Sequence, residues 1–193
     1  MSSIEYFFVS KVRIKLLQLF FFNPQDEYHV RGVVRLVEEE INAVRRELVR
    51  MEKAKMLKSE RKGNRLYFAL REEFVFYNEF RSLLHKEFGL GKAIIRNKNK
   101  LGDLKFALLT SIFVRKMRLP HDEVDLVVVG NVNLDVLNEV VKSQQEFVGR
   151  EINYTVMSEE EFNLRRRRSD TFVSGLLKDT NVMLVGVEDN IIK

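Results

Sequence analysis

The feature that most constrains this chain is a helix-like stretch followed at once by a hairpin-like stretch, within residues 39–70. From Glu39 to Ala54, apolar residues recur every three or four positions, as one face of an α-helix requires. These residues are Ile41, Val44, Leu48 and Met51. The next stretch, LKSERKGNRLYFAL, contains two short strand-like runs around a Lys-Gly-Asn turn, and Gly and Asn tolerate the positive φ of a tight hairpin. The sequence therefore predicts a packed helix leading directly into a two-stranded hairpin.

The side of this helix opposite the apolar face is polar and largely cationic. At about 100° per residue, it holds Asn42, Arg46, Arg50 and Lys53, with Arg45 beside them. An Asn side chain can make two hydrogen bonds to adenine, an Arg two to guanine, and a Lys can neutralise phosphate. The hairpin tip adds further polar groups, namely Arg61, Lys62, Asn64 and Arg65. A charged helix face is often merely solvated, but a basic hairpin beside it favours binding to double-stranded DNA.

Residues 10–70 also resemble a known family. The segments SKVRIKLLQLF, INAVRREL and GNRLYFAL are similar to the winged helix-turn-helix of ArsR-type transcriptional regulators, over about a third of the chain. The arrangement of INAVRREL before KSERKGNRLYF is the most specific part. The resemblance implies three helices and a wing, duplex DNA as the partner, and a homodimer.

Two helices are predicted ahead of the DNA-facing one. The first covers residues 9–22 and ends at Asn23-Pro24, because Pro cannot continue a helix. Its predicted buried stripe is Val9, Val12, Leu16, Leu19 and Phe20. A shorter helix follows from about Tyr28 to Val37.

After residue 72, the stretch Glu73–Phe88 places a further apolar stripe on one predicted helix face. Its members are Phe76, Phe80, Leu83, Leu84 and Phe88. A stripe this apolar does not suit a free linker. It either packs back onto the first unit or forms a dimer interface, and the sequence leaves both alternatives open.

Charge divides the chain into two halves. The net charge is +5, but residues 1–100 hold 21 Lys+Arg against 13 Asp+Glu, whereas residues 101–193 hold 12 against 15. Polyanion binding is therefore expected in the first half only.

The absence of Cys excludes disulfides and thiolate zinc sites and fits a cytoplasmic protein. No apolar run approaches the roughly 20 residues of a membrane span, so no membrane association is expected.

The second half alternates between strand-like and helix-like stretches after a connecting segment, residues 89–103. The predicted strands are Leu104–Ser111, Val124–Gly130, Ile152–Met157 and Val182–Gly186. The predicted helices are Ile112–Arg118, Leu134–Val148, Ser158–Arg168 and Asp170–Leu177. This alternation indicates an α/β domain with a mostly parallel or mixed sheet.

Residues 105–130, KFALLTSIFVRKMRLPHDEVDLVVVG, resemble the start of a minimal nucleotidyltransferase of the DNA-polymerase-β-like superfamily. Such enzymes have a Gly-Ser turn after the first strand, an Ala-Arg-Gly soon after it, and Asp-x-Asp opening the second strand. The turn closes on a triphosphate, and the paired carboxylates hold two divalent cations for in-line displacement. The resemblance therefore implies Mg²⁺ and a nucleotide as ligands.

The chain departs from that pattern at several positions. Ser111-Ile112 replaces Gly-Ser, Arg115 matches the arginine, and Lys116 replaces the glycine after it. Asp-x-Asp becomes Glu123-Val124-Asp125, and Asn153 stands where a third acid is expected. The isoleucine side chain cannot donate a hydrogen bond to phosphate, and a neutral Asn binds two divalent cations more weakly than an acid does. We therefore interpret Ser111, Arg115, Glu123 and Asp125 as vestigial and the domain as a pseudoenzyme, with a residual metal site at Glu123 and Asp125 left open.

The predicted fold class is α+β. A winged helix-turn-helix at 1–72 precedes a helical linker at 73–103 and an α/β nucleotidyltransferase-like domain with a mixed sheet at 104–193. The function predicted from these parts is a cytoplasmic transcriptional regulator with an inactive sensing or assembly domain. One alternative is an active nucleotidyltransferase that modifies a protein or small molecule. Another is a protein-interaction module, such as an antitoxin whose first unit contacts a protein.

Overall fold

The computed structural model of this chain describes residues 4–116 and 123–187, and its backbone contacts divide the chain into two units, Met1–Leu84 and His85–Lys193. Helices and two separate sheets are present, so the predicted α+β class is confirmed. The division between the units falls inside residues 73–103, the segment predicted to connect two domains.

Unit 1 combines helices with a small antiparallel sheet. Its helices are α1 (Ile4–Phe7), α2 (Lys11–Phe21), α3 (Val30–Val37), α4 (Ile41–Lys53) and α5 (Tyr77–Glu87), the last of which runs past the unit boundary. Its strands are β1 (Glu27–His29), β2 (Leu57–Lys62) and β3 (Arg65–Leu70), in the order β1-β3-β2. The helices and the sheet enclose a core whose most buried members include Leu16, Phe20, Val33, Val44, Leu48, Leu57 and Phe68.

Side-chain caps fix where the central helices begin. His29 accepts a hydrogen bond from the Gly32 N–H at its Nδ1 (3.2 Å), which starts α3. Its C-cap is Glu38, whose φ of 54° and ψ of 50° are left-handed. The Glu40 carboxylate then accepts hydrogen bonds from the backbone N–H groups of Asn42 and Ala43, both at 2.9 Å, and starts α4. Three residues, 38–40, therefore turn the chain from α3 into α4.

The first predicted helix is correct in place but wrong at its start. Ser10 is the N-cap of α2 and accepts a hydrogen bond from the Arg13 N–H (3.2 Å), so Val9 lies before the helix and is fully exposed. Val12 and Leu19 are only half-buried. The buried face of α2 comprises Ile14, Leu16, Leu17, Phe20 and Phe21.

The helix predicted from Tyr28 to Val37 begins instead at Val30. Residues Glu27–His29 form β1, which pairs antiparallel with β3. A three-residue strand is too short to show a period in the sequence, and the pairing that stabilises it comes from residues about forty positions later. The sheet of unit 1 therefore has one strand more than the predicted hairpin.

The apolar stripe predicted for residues 73–88 is confirmed at Leu84 but is wrong at Phe76 and Leu83. Helix α5 begins only at Tyr77, and its buried face includes Tyr77 and Leu84. Phe76 precedes the helix and is 54% exposed, and Leu83 is 43% exposed. Phe80 stacks on Phe21 of α2 with ring centroids 5.9 Å apart. Part of the stripe therefore packs back onto unit 1, and part stays on the surface.

Unit 2 is built on a four-stranded mixed sheet, as predicted. Its strands are β4 (Gly102–Leu109), β5 (Leu126–Val132), β6 (Tyr154–Met157) and β7 (Val182–Val185), in the order β6-β5-β4-β7. Strands β5 and β6 are parallel, whereas β4 is antiparallel to both β5 and β7. The helices of this unit are α6 (Gly89–Asn97), α7 (Ser111–Val114), α8 (Leu134–Val148), α9 (Glu159–Arg167) and α10 (Thr171–Lys178).

Most predicted elements of this unit are confirmed within two residues, and α8 matches at both ends. The exception is the helix predicted over Ile112–Arg118. Helix α7 ends at Val114, and residues 117–118 lie outside the described part of the chain.

Candidate functional site

Helix α4 buries one face and exposes a largely cationic one. Val44, Leu48 and Met51 are at most 4% exposed, whereas Ile41 is only half-buried. All five residues predicted to face DNA from this helix are exposed: Asn42, Arg45, Arg46, Arg50 and Lys53. Val49, which is 44% exposed, also lies on this side. The surface formed by Asn42, Arg45, Arg46, Val49 and Lys53 is called the α4 face below.

Arg50 stands at the margin of the α4 face because it is tied to a buried carboxylate. Glu47 is only 5% exposed, and its oxygens accept hydrogen bonds from Arg50 Nη1 (2.8 Å) and from Arg13 Nε on α2 (2.8 Å). Burial alone would raise the pKa of Glu47, but the two guanidinium groups outweigh it and lower that pKa below its usual value. Arg50 therefore helps to neutralise Glu47 within α4, while Arg13 joins the same carboxylate to α2, and the sequence interpretation missed both contacts.

The position of Glu47 was visible in the sequence, although its partner was not. Residue 47 falls between Val44 and Met51 on the buried side of the helical period, where an acid requires a cationic partner. Arg13 lies 34 residues earlier, so no local pattern identifies it.

The predicted hairpin forms with a two-residue turn. Lys62 and Arg65 are directly paired across it, and Gly63 has a φ of 59°, a conformation that L side chains rarely adopt. The four predicted tip residues are all exposed: Arg61, Lys62, Asn64 and Arg65.

Lys62 at this tip is already paired with an acid. Its Nζ lies 2.5 Å and 2.7 Å from the two carboxylate oxygens of Glu27 on β1, and 3.8 Å from a Glu60 oxygen. The hydrogen bond to Glu27 raises the pKa of Lys62. The hairpin therefore offers Arg61 and Arg65 to an external anion more readily than Lys62.

A second candidate site lies at one end of the unit 2 sheet. There the chain leaving β4 meets the residues that open β5 and β6: the Thr110 N–H donates to the Asp125 carbonyl (3.0 Å), and the Asn153 N–H donates to the Asp125 carboxylate (2.9 Å). The structure thus brings together three positions that the nucleotidyltransferase resemblance assigns to catalysis, namely those of Ser111, Asp125 and Asn153.

Asp125 is held by a cation that the sequence interpretation missed. Asp125 is 1% exposed, and its two oxygens accept hydrogen bonds from Arg150 Nη1 (2.7 Å) and Nη2 (2.6 Å). These hydrogen bonds raise the pKa of Arg150. The guanidinium carbon of Arg150 also lies 5.8 Å from the centroid of the Phe113 ring. Arg150 follows Asp125 by 25 residues without any recognisable spacing, so the pair could not be read from the sequence.

Ser111 and Asn153 of this site are also bonded within the unit. The Ser111 hydroxyl donates to Asp179 (3.0 Å), and the Ser111 N–H donates to the Asn181 side chain (2.9 Å). Asn153 donates its Nδ2 to the Glu123 carbonyl (3.3 Å). The backbone N–H of Arg115 caps the end of α7, whereas the Arg115 Nε and the Glu123 Oε2 are buried without a hydrogen-bond partner among the described residues. Ser111 therefore uses both its backbone N–H and its hydroxyl within the unit.

These residues do not suit a pair of divalent cations. A hard cation requires several free oxygen ligands, but both Asp125 oxygens already accept charged hydrogen bonds from Arg150. Asn153 brings no charge. Within residues 4–116 and 123–187, no group of three or more His, Cys, Asp or Glu is placed to hold a metal ion.

Comparisons with protein-family models and with curated proteins find no match to the chain. Among solved structures, human N-acetylserotonin methyltransferase in complex with SAM is similar at 15% sequence identity, over 63% of this chain and 37% of that one. The TM-score is 0.32, so this likeness bears on neither fold nor function. In the described part of the chain, no helix is both long and apolar enough to span a membrane.

Proposed function

We propose that the chain is a transcriptional regulator whose unit 1 is a winged helix-turn-helix that binds double-stranded DNA. The main support is the α4 face, which presents Asn42, Arg46 and Lys53 away from the core while a basic hairpin tip follows immediately in the chain. The same unit has the helix, short turn and helix of α3 and α4 that such domains use.

In the proposed complex, α4 lies in the major groove. Asn42 and Arg46 carry the planar groups that read adenine and guanine edges, and each such pair contributes about 1–3 kcal/mol of discrimination. Arg45 and Lys53 neutralise phosphates beside them. Arg61 and Arg65 reach phosphate or the minor groove from the hairpin. Because these contacts need no rearrangement of Glu47, the packing of α2 against α4 stays intact.

A selection of binding sequences from random duplexes with the purified chain tests this proposal. We expect one preferred sequence, with binding that weakens steeply as salt increases. Arg46→Ala/Lys53→Ala is expected to lose that preference. The matched control is Arg167→Ala/Arg168→Ala, which removes the same charge from exposed positions of unit 2 and should keep it. Recovery of no sequence, or an equal loss in both variants, contradicts the proposal.

We further propose that unit 2 is a nucleotidyltransferase-like domain without transfer activity that serves in sensing or assembly. The Arg150–Asp125 pair supports this, because the carboxylate that the resemblance assigns to metal binding is occupied by a guanidinium. Incubation of the chain with labelled nucleoside triphosphates and Mg²⁺ or Mn²⁺ should yield no labelled product. Product that forms with the wild-type chain and disappears in Asp125→Asn would instead favour the active enzyme.

The proposed regulator is a homodimer that joins through the apolar surface around α1 and α5. The aromatic side chains of Tyr6, Phe7 and Phe76 are 77%, 83% and 54% exposed, and Val75 is 77% exposed. Phe8, which directly follows α1, packs against Phe80 of α5, with ring centroids 6.3 Å apart. Exposed apolar groups concentrated in this way are costly in water and suit a self-complementary interface.

Light scattering coupled to gel filtration tests the dimer. The wild-type chain should run at twice its 22.8 kDa mass, and Phe76→Asp should run as a monomer. Leu134→Asp, at an exposed leucine of unit 2, is the matched control and should remain dimeric. A monomeric wild-type chain would contradict this part of the proposal.

A further inference from the structure

Val49 is the one large apolar side chain on the α4 face. Its side is otherwise formed by Asn42, Arg45, Arg46 and Lys53. Along the helix, Asn42, Arg45, Arg46 and Val49 follow the i, i+3, i+4, i+7 spacing that places side chains on one strip. Val49 is 44% exposed, whereas Val44, on the opposite side of the same helix, is 0% exposed. Val49 is therefore exposed because it lies on the α4 face, whereas a valine on the opposite side of the same helix is buried.

We propose that Val49 determines sequence specificity by packing on the 5-methyl group of a thymine in the major groove. This inference rests on the proposed DNA-binding function and adds to it a residue and a base. Among the groups that base pairs expose in that groove, the thymine methyl is the apolar one, and small apolar side chains are its usual partners. Valine makes no hydrogen bond through its side chain, so no other base edge offers it a matching contact.

The helical conformation of α4 restricts the Val49 side chain before DNA is bound. A valine in a helix strongly prefers one χ1 rotamer, so little side-chain freedom is lost when its methyl groups pack on DNA. Arg45 and Arg46 lie one turn before Val49, and Lys53 lies one turn after it. The thymine is therefore expected within one or two base pairs of the guanine or adenine read by Arg46 and Asn42.

The magnitude of the effect follows from one methyl group. Burial of a methyl-sized apolar group corresponds to roughly a fourfold change in affinity. Replacing the contacted thymine by deoxyuridine removes this methyl and leaves every hydrogen-bonding atom of the base unchanged. The loss on this replacement thus isolates the apolar contact from all polar and charged ones.

The test measures binding of the full chain to its selected duplex with each thymine replaced in turn by deoxyuridine. The wild-type chain should lose about fourfold in affinity when the contacted thymine of the selected duplex is replaced. Val49→Ala, which lacks both γ-methyl groups, should show a clearly smaller difference between thymine and deoxyuridine duplexes at that position, and Val49→Thr, which keeps one of them, should show an intermediate difference. Leu134→Ala, at an exposed leucine of unit 2, should behave as the wild-type chain does.

Three results would overturn the inference, and the third is distinguishable from the first two. Sequence-specific binding that is insensitive to every deoxyuridine, or equally sensitive in Val49→Ala, refutes the role of Val49 alone. The absence of any sequence-specific binding by the wild-type chain refutes the proposed function and this inference together. Alanine has a higher helix propensity than valine, so Val49→Ala should unfold at no lower temperature, and a matching thermal transition verifies that its fold is unchanged.

Discussion

Replacement of Arg150 by Ala is expected to destabilise unit 2 more than neutralisation of its partner does. In Arg150→Ala, the Asp125 carboxylate stays buried, with 2% of its side chain exposed, and keeps the Asn153 N–H as a hydrogen-bond donor but loses its countercharge. In Asp125→Asn, by contrast, Arg150 has 43% of its side chain exposed and can turn toward water. The two changes break the same ion pair, but the first leaves a buried charge without its partner and the second leaves a charge that water can reach.

The magnitudes follow from those exposures. Removing one partner of a fully buried ion pair costs about 3–5 kcal/mol. Water already screens the exposed side of Arg150, so we reduce this cost to about 1–3 kcal/mol for Arg150→Ala. Asp125→Asn keeps a side-chain oxygen for the Asn153 N–H and should cost about 1 kcal/mol. The double variant should cost less than the sum, because the buried charge is then absent.

Hydrogen exchange of peptides that cover β5 and β6 suits this measurement, since a two-unit chain does not unfold in one step. The matched control is Arg165→Ala, which breaks a pair exposed on both sides (45% and 44%) and should change exchange in its own region by under about 0.5 kcal/mol. A larger loss in Asp125→Asn than in Arg150→Ala, or strict additivity, would refute this reasoning.

Three further predictions concern unit 1. Glu27→Gln should free Lys62 and tighten binding to any duplex. The slope of the logarithm of the binding constant against the logarithm of the salt concentration should become steeper by about one unit. Unchanged binding would mean that Lys62 does not face phosphate. Arg65→Ala should weaken binding to all sequences alike and make that salt dependence shallower by about one unit, and a loss confined to the selected duplex would assign it to base recognition instead. Glu47 has a lowered pKa, so its stabilisation is complete above its usual value of 4.5 and lost as the pH falls through the lowered value. Thermal unfolding between pH 6 and pH 3 should therefore show a smaller loss for Glu47→Gln than for the wild-type chain, and an equal loss would contradict the role of the Arg13–Glu47–Arg50 cluster.

The sequence was sufficient where structure follows from local periodicity. Helix α8 matches its prediction at both ends because Asn133 caps it and Gly149 ends it with a φ of 76°. The hairpin turn is likewise fixed by residues within it, chiefly Gly63. In these elements, the period, the cap and the turn residue all indicate the same boundary.

The sequence was insufficient where structure depends on distant partners. Strand β1 exists through its pairing with β3, and the phase of α5 is set by packing such as that of Phe80 on Phe21. The candidate sites show the same limit. Helical spacing identified the exposed residues of the α4 face. It could not identify the ion pairs that occupy Lys62 and Asp125, because Lys62–Glu27 and Asp125–Arg150 join residues 35 and 25 positions apart.

The measurement that most directly tests DNA recognition by α4 compares Arg46→Ala with the wild-type chain on two duplexes, the selected one and a scrambled one of equal composition, at several salt concentrations. Arg46 is exposed on the side opposite Val44 and Leu48, so its loss should not disturb the core. We predict a loss of about 1–3 kcal/mol on the selected duplex and a far smaller loss on the scrambled one. Equal affinity of the wild-type chain for the two duplexes, or an equal loss on both in Arg46→Ala, would contradict recognition of DNA sequence by this helix.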